Sequence, residues 1–384
     1  MLSPNKSLTA VNADLIGVPG VLTQLTTPAL LLDLQRFRAN VAQMRRQCAS
    51  AGIKLRPHGK THKCSRLAAE QVAAGALGIC CATPHEAIAF ARAGIRDLLI
   101  TTPVVQPRNM QALADLHYEG VDLTIVIDHV DGISAWEALL AGTLRPLSAL
   151  VDIDIGMGRT GAGSVEQVVA IARRLSGSRT LEYTGVQAYS GRVQHINDYS
   201  DRRQTYWSQL DRLEQAIGAL KNAGLPPAIV SGGGTGTFAI DVERGLYTES
   251  QAGSYIFMDV EYNDVKLFEH HPNPYCVSLT LRASVISANV SGYVTLNTGF
   301  KSFATDGPLP KLSGAAFAGA SYELYGDEYG RLVLGSGCAR PAVGTCVDLI
   351  TPHCDPTVNL HDFLHVVDGD TLVDIWRIDA RGVL

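Results

Sequence analysis

Between Arg56 and Lys63 the chain reads RPHGKTHK, which places three cations, two imidazoles and a glycine within eight positions. The chain as a whole has 32 Lys and Arg against 37 Asp and Glu, a net charge of −5, so this concentration of basic nitrogen is local. A lysine held partly out of water beside other cations gives up its proton readily, and its free amine condenses with an aldehyde. Lys60, flanked by His58 and His62, meets that description. The alternative, for Lys60 as for Lys63, is a solvated loop lysine.

Three further stretches carry chemistry. SGGGTG, residues 231–236, strings glycines where an apolar run ends. There the backbone amides can approach a phosphate without Cβ obstruction, and the Thr235 hydroxyl adds a donor. It lacks a P-loop lysine and the Rossmann spacing, so a flexible turn is its bland reading. PHCDP, residues 352–356, sets His353 and Asp355 two apart, sharing one face at the end of an extended strand with Cys354 turned away. One imidazole and one carboxylate form an incomplete ligand set for a divalent ion, leaving positions for water and a substrate oxygen; a polar loop is the alternative. His195 is a candidate general base and Arg159 a candidate for orienting a carboxylate or phenolate, though either is equally a structural hydrogen-bonding residue.

The elements that must position these residues follow from hydrophobic periodicity. From residue 29, short apolar runs (ALLLDL, IKLRPH, GICCAT, DLLITTP, LTIVID, LSALVDIDI, YTGVQAY, PAIVSGGG) alternate with amphipathic segments such as Asp201 to Lys221. Buried parallel strands alternating with covering helices produce that pattern, and about eight such units predict a closed (β/α)8 barrel, with an open doubly wound sheet as the alternative. The candidate stretches then follow strands two, six, seven and eight, on the catalytic rim. Beyond residue 265 the pattern becomes β-branched alternation with Gly and Asp turns and no convincing helix. VDGDTLVDI there reads as a hairpin. The expected organisation is an extension over 1–27, a barrel over 28–264 and a β domain over 265–384.

Composition excludes several classes. Apolar residues make up 46% and charged ones 18%, with no Lys/Arg run, which argues against nucleic acid or an anionic membrane as partner. No segment reaches 18 consecutive apolar residues, and the first thirty, with Pro4, Asp14, Pro19 and Pro28, do not read as a secretory signal. Eight cysteines with no CxxC pair resemble reduced thiols, so a cytoplasmic enzyme is expected.

Taken together, RPHGKTHK, GVQAYSG with QH shortly after, SGGGTG, QAGSYIFMD and HCDPTVNLHD resemble the D-threonine aldolase and D-serine dehydratase family, in consistent order from about Thr27 to Gly382. The resemblance implies an alanine-racemase-type barrel with a C-terminal β domain, pyridoxal 5'-phosphate, a divalent metal and a homodimer. It implies that Lys60 binds the cofactor aldehyde and that Gly233, Gly234, Thr235 and Gly236 hold its phosphate. Gln187 and Tyr189 would line the ring, with Tyr255 nearby and Arg159 by the phenolic oxygen. His353 and Asp355 would be the metal pair, with Mg²⁺ or Mn²⁺ suited to hard oxygen ligands and Zn²⁺ or Co²⁺ admitted by the histidine.

Aldolase-like members resemble HxD and dehydratase-like ones HxC, so Asp355 favours aldol cleavage of a 3-hydroxy-D-amino acid to glycine and an aldehyde. Lys60, His195 and Arg159 would be the catalytic residues. Dehydration to a 2-oxo acid and ammonia is the alternative, and a non-catalytic or racemase-like protein that binds the cofactor is a second. The chain departs from the family pattern at Ala82 (CCAT for CCQK), Asn297 (NTGFKS for DAGLKS) and Tyr329 (DEYG for DEHG).

Overall fold

The computed structural model describes residues 10–382, and their contacts divide the chain into two units. One contains Ala42–Tyr255 with Asp264–Asn273 and the residues from Gly382. The other contains the residues up to Val41 with Ile256–Asn263 and Pro274–Arg381.

In the first unit eight parallel strands form one sheet: Lys54–Leu55, Ile79–Cys81, Asp97–Ile100, Asp122–Ile127, Leu147–Ile153, Leu181–Ala188, Ile229–Gly232 and Glu249–Ser250. From Ile79–Cys81 onward each pairs with its neighbour in sequence, and Glu249–Ser250 pairs with Lys54–Leu55. The ring closes where Leu77 N donates to Leu55 O, Cys80 N donates to Pro57 O and His58 pairs in parallel with Cys80. This is the expected barrel. Its strands are continuous apolar runs because they are buried on both faces; Cys80, Leu99, Val126 and Leu150 pack together inside the sheet.

Helix starts follow local capping chemistry. Thr83 Oγ1 accepts from Glu86 N at 3.3 Å, Glu86 Oε2 accepts from Ala82 N at 2.7 Å, and Pro84 takes the first helical position of Pro84–Arg92. Ser164 and Asp198 cap Val165–Ser176 and Tyr199–Asn222 in the same way.

The second unit holds a nine-stranded sheet. Its main path runs Ser321–Leu324, Gly330–Val333, Tyr293–Leu296, Leu279–Ser287, Ala29–Asp33, Phe363–Asp368 and Thr371–Arg377, with Cys346–Ile350 and Lys311–Leu312 branching from Leu279–Ser287. The predicted hairpin forms, turning through Gly369 at φ +62° between Asp368 and Thr371. Of the expected N-terminal extension, residues 1–9 lie outside the described part. The rest makes short 3-10 turns whose Val21 and Leu25 join the core with Ala29, Leu31, Val367 and Leu372.

Three expectations require correction. The run ALLLDL is not a barrel strand: Ala29–Asp33 pairs antiparallel with Leu279–Ser287 and parallel with Phe363–Asp368. A wholly apolar run suits any strand buried on both faces, so its composition does not say which sheet receives it. The eighth barrel strand is instead Glu249–Ser250, two polar residues without an apolar signature, and the candidate stretches accordingly follow barrel strands one, five, six and seven. The β region also contains a helix, Cys354–Asn359.

What holds the polar eighth strand inside the barrel is charge. Glu249 is 3% exposed and accepts from Arg56 Nε at 3.1 Å, while the other arm of this buried guanidinium binds Asp97. Removing one member of a buried pair strands the other. Arg56→Met is therefore expected to cost about 3–5 kcal/mol in chemical denaturation, and Arg56→Met with Glu249→Met to cost less than Arg56→Met alone.

Candidate active site

Lys60 is the middle residue of a single 3-10 turn, Gly59–Thr61, just beyond the first barrel strand. The turn needs glycine at its start, because a Cβ on Gly59 would lie 2.5 Å from Phe90 Cε2 and 2.9 Å from Ile79 Cγ2. Both flanking histidines are hydrogen-bonding frames. His58 Nδ1 accepts from Lys60 N at 3.4 Å, and its Nε2 lies 3.1 Å from Thr101 Oγ1, whose own proton goes to Cys81 O. His62 is fully buried; its Nδ1 accepts from Cys64 N and its Nε2 donates to Gln71 Oε1 at 3.2 Å. One donor and one acceptor nitrogen in each ring is the pattern of neutral imidazole. The histidines therefore shape the lysine turn and do not supply the positive charge expected of them. Lys63 is accounted for as well: its Nζ sits 3.2 Å from Glu86 Oε1 and donates to Gly382 O at 2.8 Å.

The His62 bond continues into a chain that ends at the glycine loop. Gln71 Nε2 donates to Tyr255 OH at 2.9 Å, and Tyr255 N donates to Thr235 Oγ1 at 3.1 Å. Gly253 is pressed against the lysine turn, since a Cβ there would lie 2.5 Å from Thr61 Oγ1 and 3.0 Å from His58 O. Lys60, Thr235 and Tyr255 are thus brought to one rim.

The loop itself is built differently from the expectation. Gly234 N donates to Thr237 Oγ1 at 3.1 Å and Gly236 N to Gln194 Oε1 at 2.9 Å, so these two amides are engaged within the protein. The glycines are required by packing: Cβ atoms on Gly234 and Gly236 would fall 2.6 Å from Gln194 Oε1 and 2.2 Å from Gln194 O. Gly233 has φ +67° and closely approaches the Asp241 carboxyl. Two hydroxyls fit an anion. Thr235 Oγ1 accepts from Tyr255 N and retains its proton, and Ser190 Oγ is buried without a hydrogen-bond partner. Ser190 was missed in the sequence; its signal was a hydroxyl directly after Tyr189 at a strand end. Gln194, which braces the loop, also donates to Ser190 O at 3.1 Å. A phosphate suits this cradle of hydroxyls beside a tightly packed glycine loop.

Gln187 is locked inside the barrel. Its Nε2 donates to Thr101 O and to Asp152 Oδ1, both at 2.9 Å, and its Oε1 accepts from Gln251 at 3.0 Å. Burial pushes the Asp152 carboxyl above its ordinary range, against the hydrogen bonds from Gln187 and Thr160. Arg159 lies over the Tyr189 ring, 5.6 Å from its centroid, a cation–π pair on the loops after the fifth and sixth strands. His195 ends the 3-10 turn Arg192–His195, next to Gln194.

The other unit carries the expected metal pair, in a different local setting. His353 stands at the N-terminal boundary of the helix Cys354–Asn359, without a side-chain capping bond, and Asp355 is in its first turn, so the two residues share a helix start and not a strand face. Pro352 and Pro356 obscure that helix in the sequence. Cys354 is buried, as expected from its place between them. His353 Nδ1 lies 2.9 Å from Asp306 Oδ2. Burial lowers the His353 pKa, but Asp355, Asp259 and Asp306 outweigh it and the net shift is upward. Glu261 is raised by burial and by the same carboxylates. Asp259 is the organiser: its carboxylate accepts from Cys354 N and Tyr262 N, each at 2.8 Å. Among the described residues no group of three or more His, Cys, Asp or Glu is arranged to hold a metal. The donor chemistry fits an ion held by one imidazole and one carboxylate, the remaining positions open to water and substrate.

Comparison with known proteins agrees with this architecture. A family profile described as the alanine racemase N-terminal domain matches residues 32–261, and one described as a putative serine dehydratase domain matches residues 278–367. A D-threonine aldolase of Arthrobacter sp. is 34% identical over 361 residues, 94% of each chain. A 3-hydroxy-D-aspartate aldolase of Paracoccus denitrificans (strain Pd 1222) is 33% identical over 377 residues, 97% of this chain and 96% of the relative. The crystal structure of a D-threonine aldolase from Filomicrobium marinum superposes with a TM-score of 0.89 at 33% identity, covering 94% of this chain and 97% of the other. With its barrel, its β sheet and nearly its whole length matched, the chain belongs to the D-threonine aldolase and D-serine dehydratase family.

Proposed function

We propose that this protein is a lyase that cleaves the Cα–Cβ bond of 3-hydroxy-D-amino acids of the D-threonine type, releasing glycine and an aldehyde. It uses pyridoxal 5'-phosphate joined to Lys60 and a divalent ion at His353 and Asp355. The observation that carries the reading is the rim of the barrel, where one lysine on a rigid turn is linked through His62, Gln71 and Tyr255 to the hydroxyl of Thr235 in a glycine loop. When bound, the cofactor supplies an electron sink for the pair left on Cα, and the ion polarises the substrate's oxygen.

The chain's own residues do the rest. Lys60 would hold the cofactor through its aldehyde, and the turn fixed by His58 and Gly59 presents the amine. The Thr235 and Ser190 hydroxyls would hold the phosphate by hydrogen bonds, and Arg159 would hold the phenolic oxygen. His195 takes the proton from the substrate's β-hydroxyl oxygen as the Cα–Cβ bond breaks and the aldehyde forms, and one proton returns to Cα to give glycine. Gln187, held at three points, keeps the barrel floor rigid beneath the ring. Asp355 in place of a thiolate favours this cleavage over dehydration. The enzyme works as a cytoplasmic homodimer in this reading. One fact fits that compartment: none of the eight cysteines is in a disulfide.

Incubation with D-threonine and with D-serine tests the reaction. Glycine plus acetaldehyde from D-threonine is expected; a 2-oxo acid plus ammonia would show a dehydratase instead. A chelator should abolish turnover and Mn²⁺ should restore it, while His353→Ala should remain inactive with metal present. Lys60→Ala should lose the visible absorption of the loaded protein and about a thousandfold or more in kcat/KM. Gly236→Ala, whose Cβ meets a backbone carbonyl, should lose about 1–3 kcal/mol of stability and bind the cofactor more weakly. Gly218→Ala, in open space on the helix Tyr199–Asn222, should instead gain about 0.5–1 kcal/mol.

A further inference from the structure

The glycine loop rests on a carboxyl that none of the chemistry above uses. Asp241 is 2% exposed, and its Oδ2 would lie 2.3 Å from a Cβ on Gly233. Its surroundings allow the protons to be counted. Thr237 Oγ1 accepts from Gly234 N and from Gln194 Nε2, and donates to Asp241 Oδ2 at 2.9 Å. Gly234 N also faces the carboxyl. On the other side Tyr247 OH donates to Ala188 O at 3.0 Å, which uses the one proton that phenol has. The 3.0 Å contact between Tyr206 OH and Tyr247 OH must therefore carry the Tyr206 proton. The Tyr206 oxygen, which faces Asp241, has no proton left to give, and Asp241 Oδ1 is buried with no donor.

An ionised Oδ1 there would be a desolvated charge without a partner. A protonated Oδ1 carries no charge and faces the Tyr206 oxygen, whose own proton goes to Tyr247, which donates to Ala188 O. We propose that Asp241 is held as a neutral carboxylic acid beneath the glycine loop, and that this neutrality lets the loop accept the dianionic phosphate of the cofactor. Asp241 is a positioning residue: it acts through Gly233, Gly234 and Thr237. The inference rests on the reading of 233–236 as the phosphate loop.

The electrostatics agree in sign. Burial raises the Asp241 pKa to about 7, against the hydrogen bonds donated by Thr237 and Gly234, and no lysine, arginine or histidine is among the groups acting on it. The titratable groups facing it are Tyr206 and Tyr247, both pushed upward by burial and by Asp241 itself. Its place in the first turn of Phe238–Arg244 favours the anion only weakly. Below about pH 7 the acid is neutral. Above it the proton leaves, and binding a dianion then requires either that the carboxylate take a proton up again or that the phosphate sit over a like charge.

The test uses the full chain stripped of cofactor and reloaded with pyridoxal phosphate. Infrared difference spectra between wild type and Asp241→Asn should show the carbonyl stretch of a protonated carboxylic acid at about pH 6, shifted in Tyr206→Phe and lost toward about pH 9. The wild-type dissociation constant for pyridoxal phosphate should rise several-fold over that range relative to Asp241→Asn, whose amide keeps one donor and one acceptor in place. The cofactor's own titration, common to both proteins, cancels in the ratio. Absence of the acid band in wild type at low pH would overturn the proposal whatever Asp241→Asn does to folding. Parallel affinity profiles for the two proteins would overturn the coupling. Failure of wild type to bind pyridoxal phosphate at any pH would sink the phosphate reading of the loop and leave the infrared result to judge the acid alone.

Discussion

A parallel ring must hold at every seam, and here one seam pairs strands of only two residues. Lys54–Leu55 and Glu249–Ser250 share few backbone hydrogen bonds, so the buried contact between Arg56 and Glu249 carries an unusual part of that seam. The consequence reaches the chemistry directly. Lys60 stands four residues beyond Arg56 and Tyr255 six beyond Glu249, so the ion pair that aligns the two strands also sets the two rim segments side by side. Gly253 against His58 and Thr61 is where that alignment becomes contact. Such a pair is costly to bury and is kept here for register, the use to which buried ionic groups are best suited.

The same economy of charge recurs at the rim. The motif that looks most basic in the sequence places its histidines in neutral hydrogen-bonding roles and one of its lysines in a pair with Glu86, leaving Lys60 as the residue the turn is built to present. Beneath the glycine loop the polar groups again form directed lines, Gly234 to Thr237 to Asp241 and Tyr206 to Tyr247 to Ala188. Lines of this kind have one consistent proton arrangement, which rigidifies a loop that glycines alone would leave loose. The β unit inverts the balance: Asp259, Glu261, Asp306 and Asp355 gather around one imidazole, a field suited to a cation.

Much of this was legible from residue types. Lys60, Thr235, Tyr255 and Arg159 fall on barrel rims because strand ends can be read from apolar runs and glycine punctuation. The glycine loop follows a barrel strand, but its internal engagement was not visible, because the partners of Gly234 and Gly236 are Thr237 and a glutamine forty residues earlier. Ser190 and Asp241 escaped for the same reason: a lone serine or aspartate acquires meaning only from what surrounds it.

By itself the sequence determined the alternation of strand and helix, the barrel with a β region after it, and the residue types able to hold an aldehyde, a phosphate and a divalent ion. Hydrophobic period and turn chemistry are local properties, and local properties survive without a fold. Only the tertiary structure decided that ALLLDL belongs to the β sheet, that two polar residues complete the barrel, that HCD begins a helix, and which polar groups are buried together. Those outcomes depend on partners brought together from distant parts of the chain, whose burial sets both their pairing and their charge.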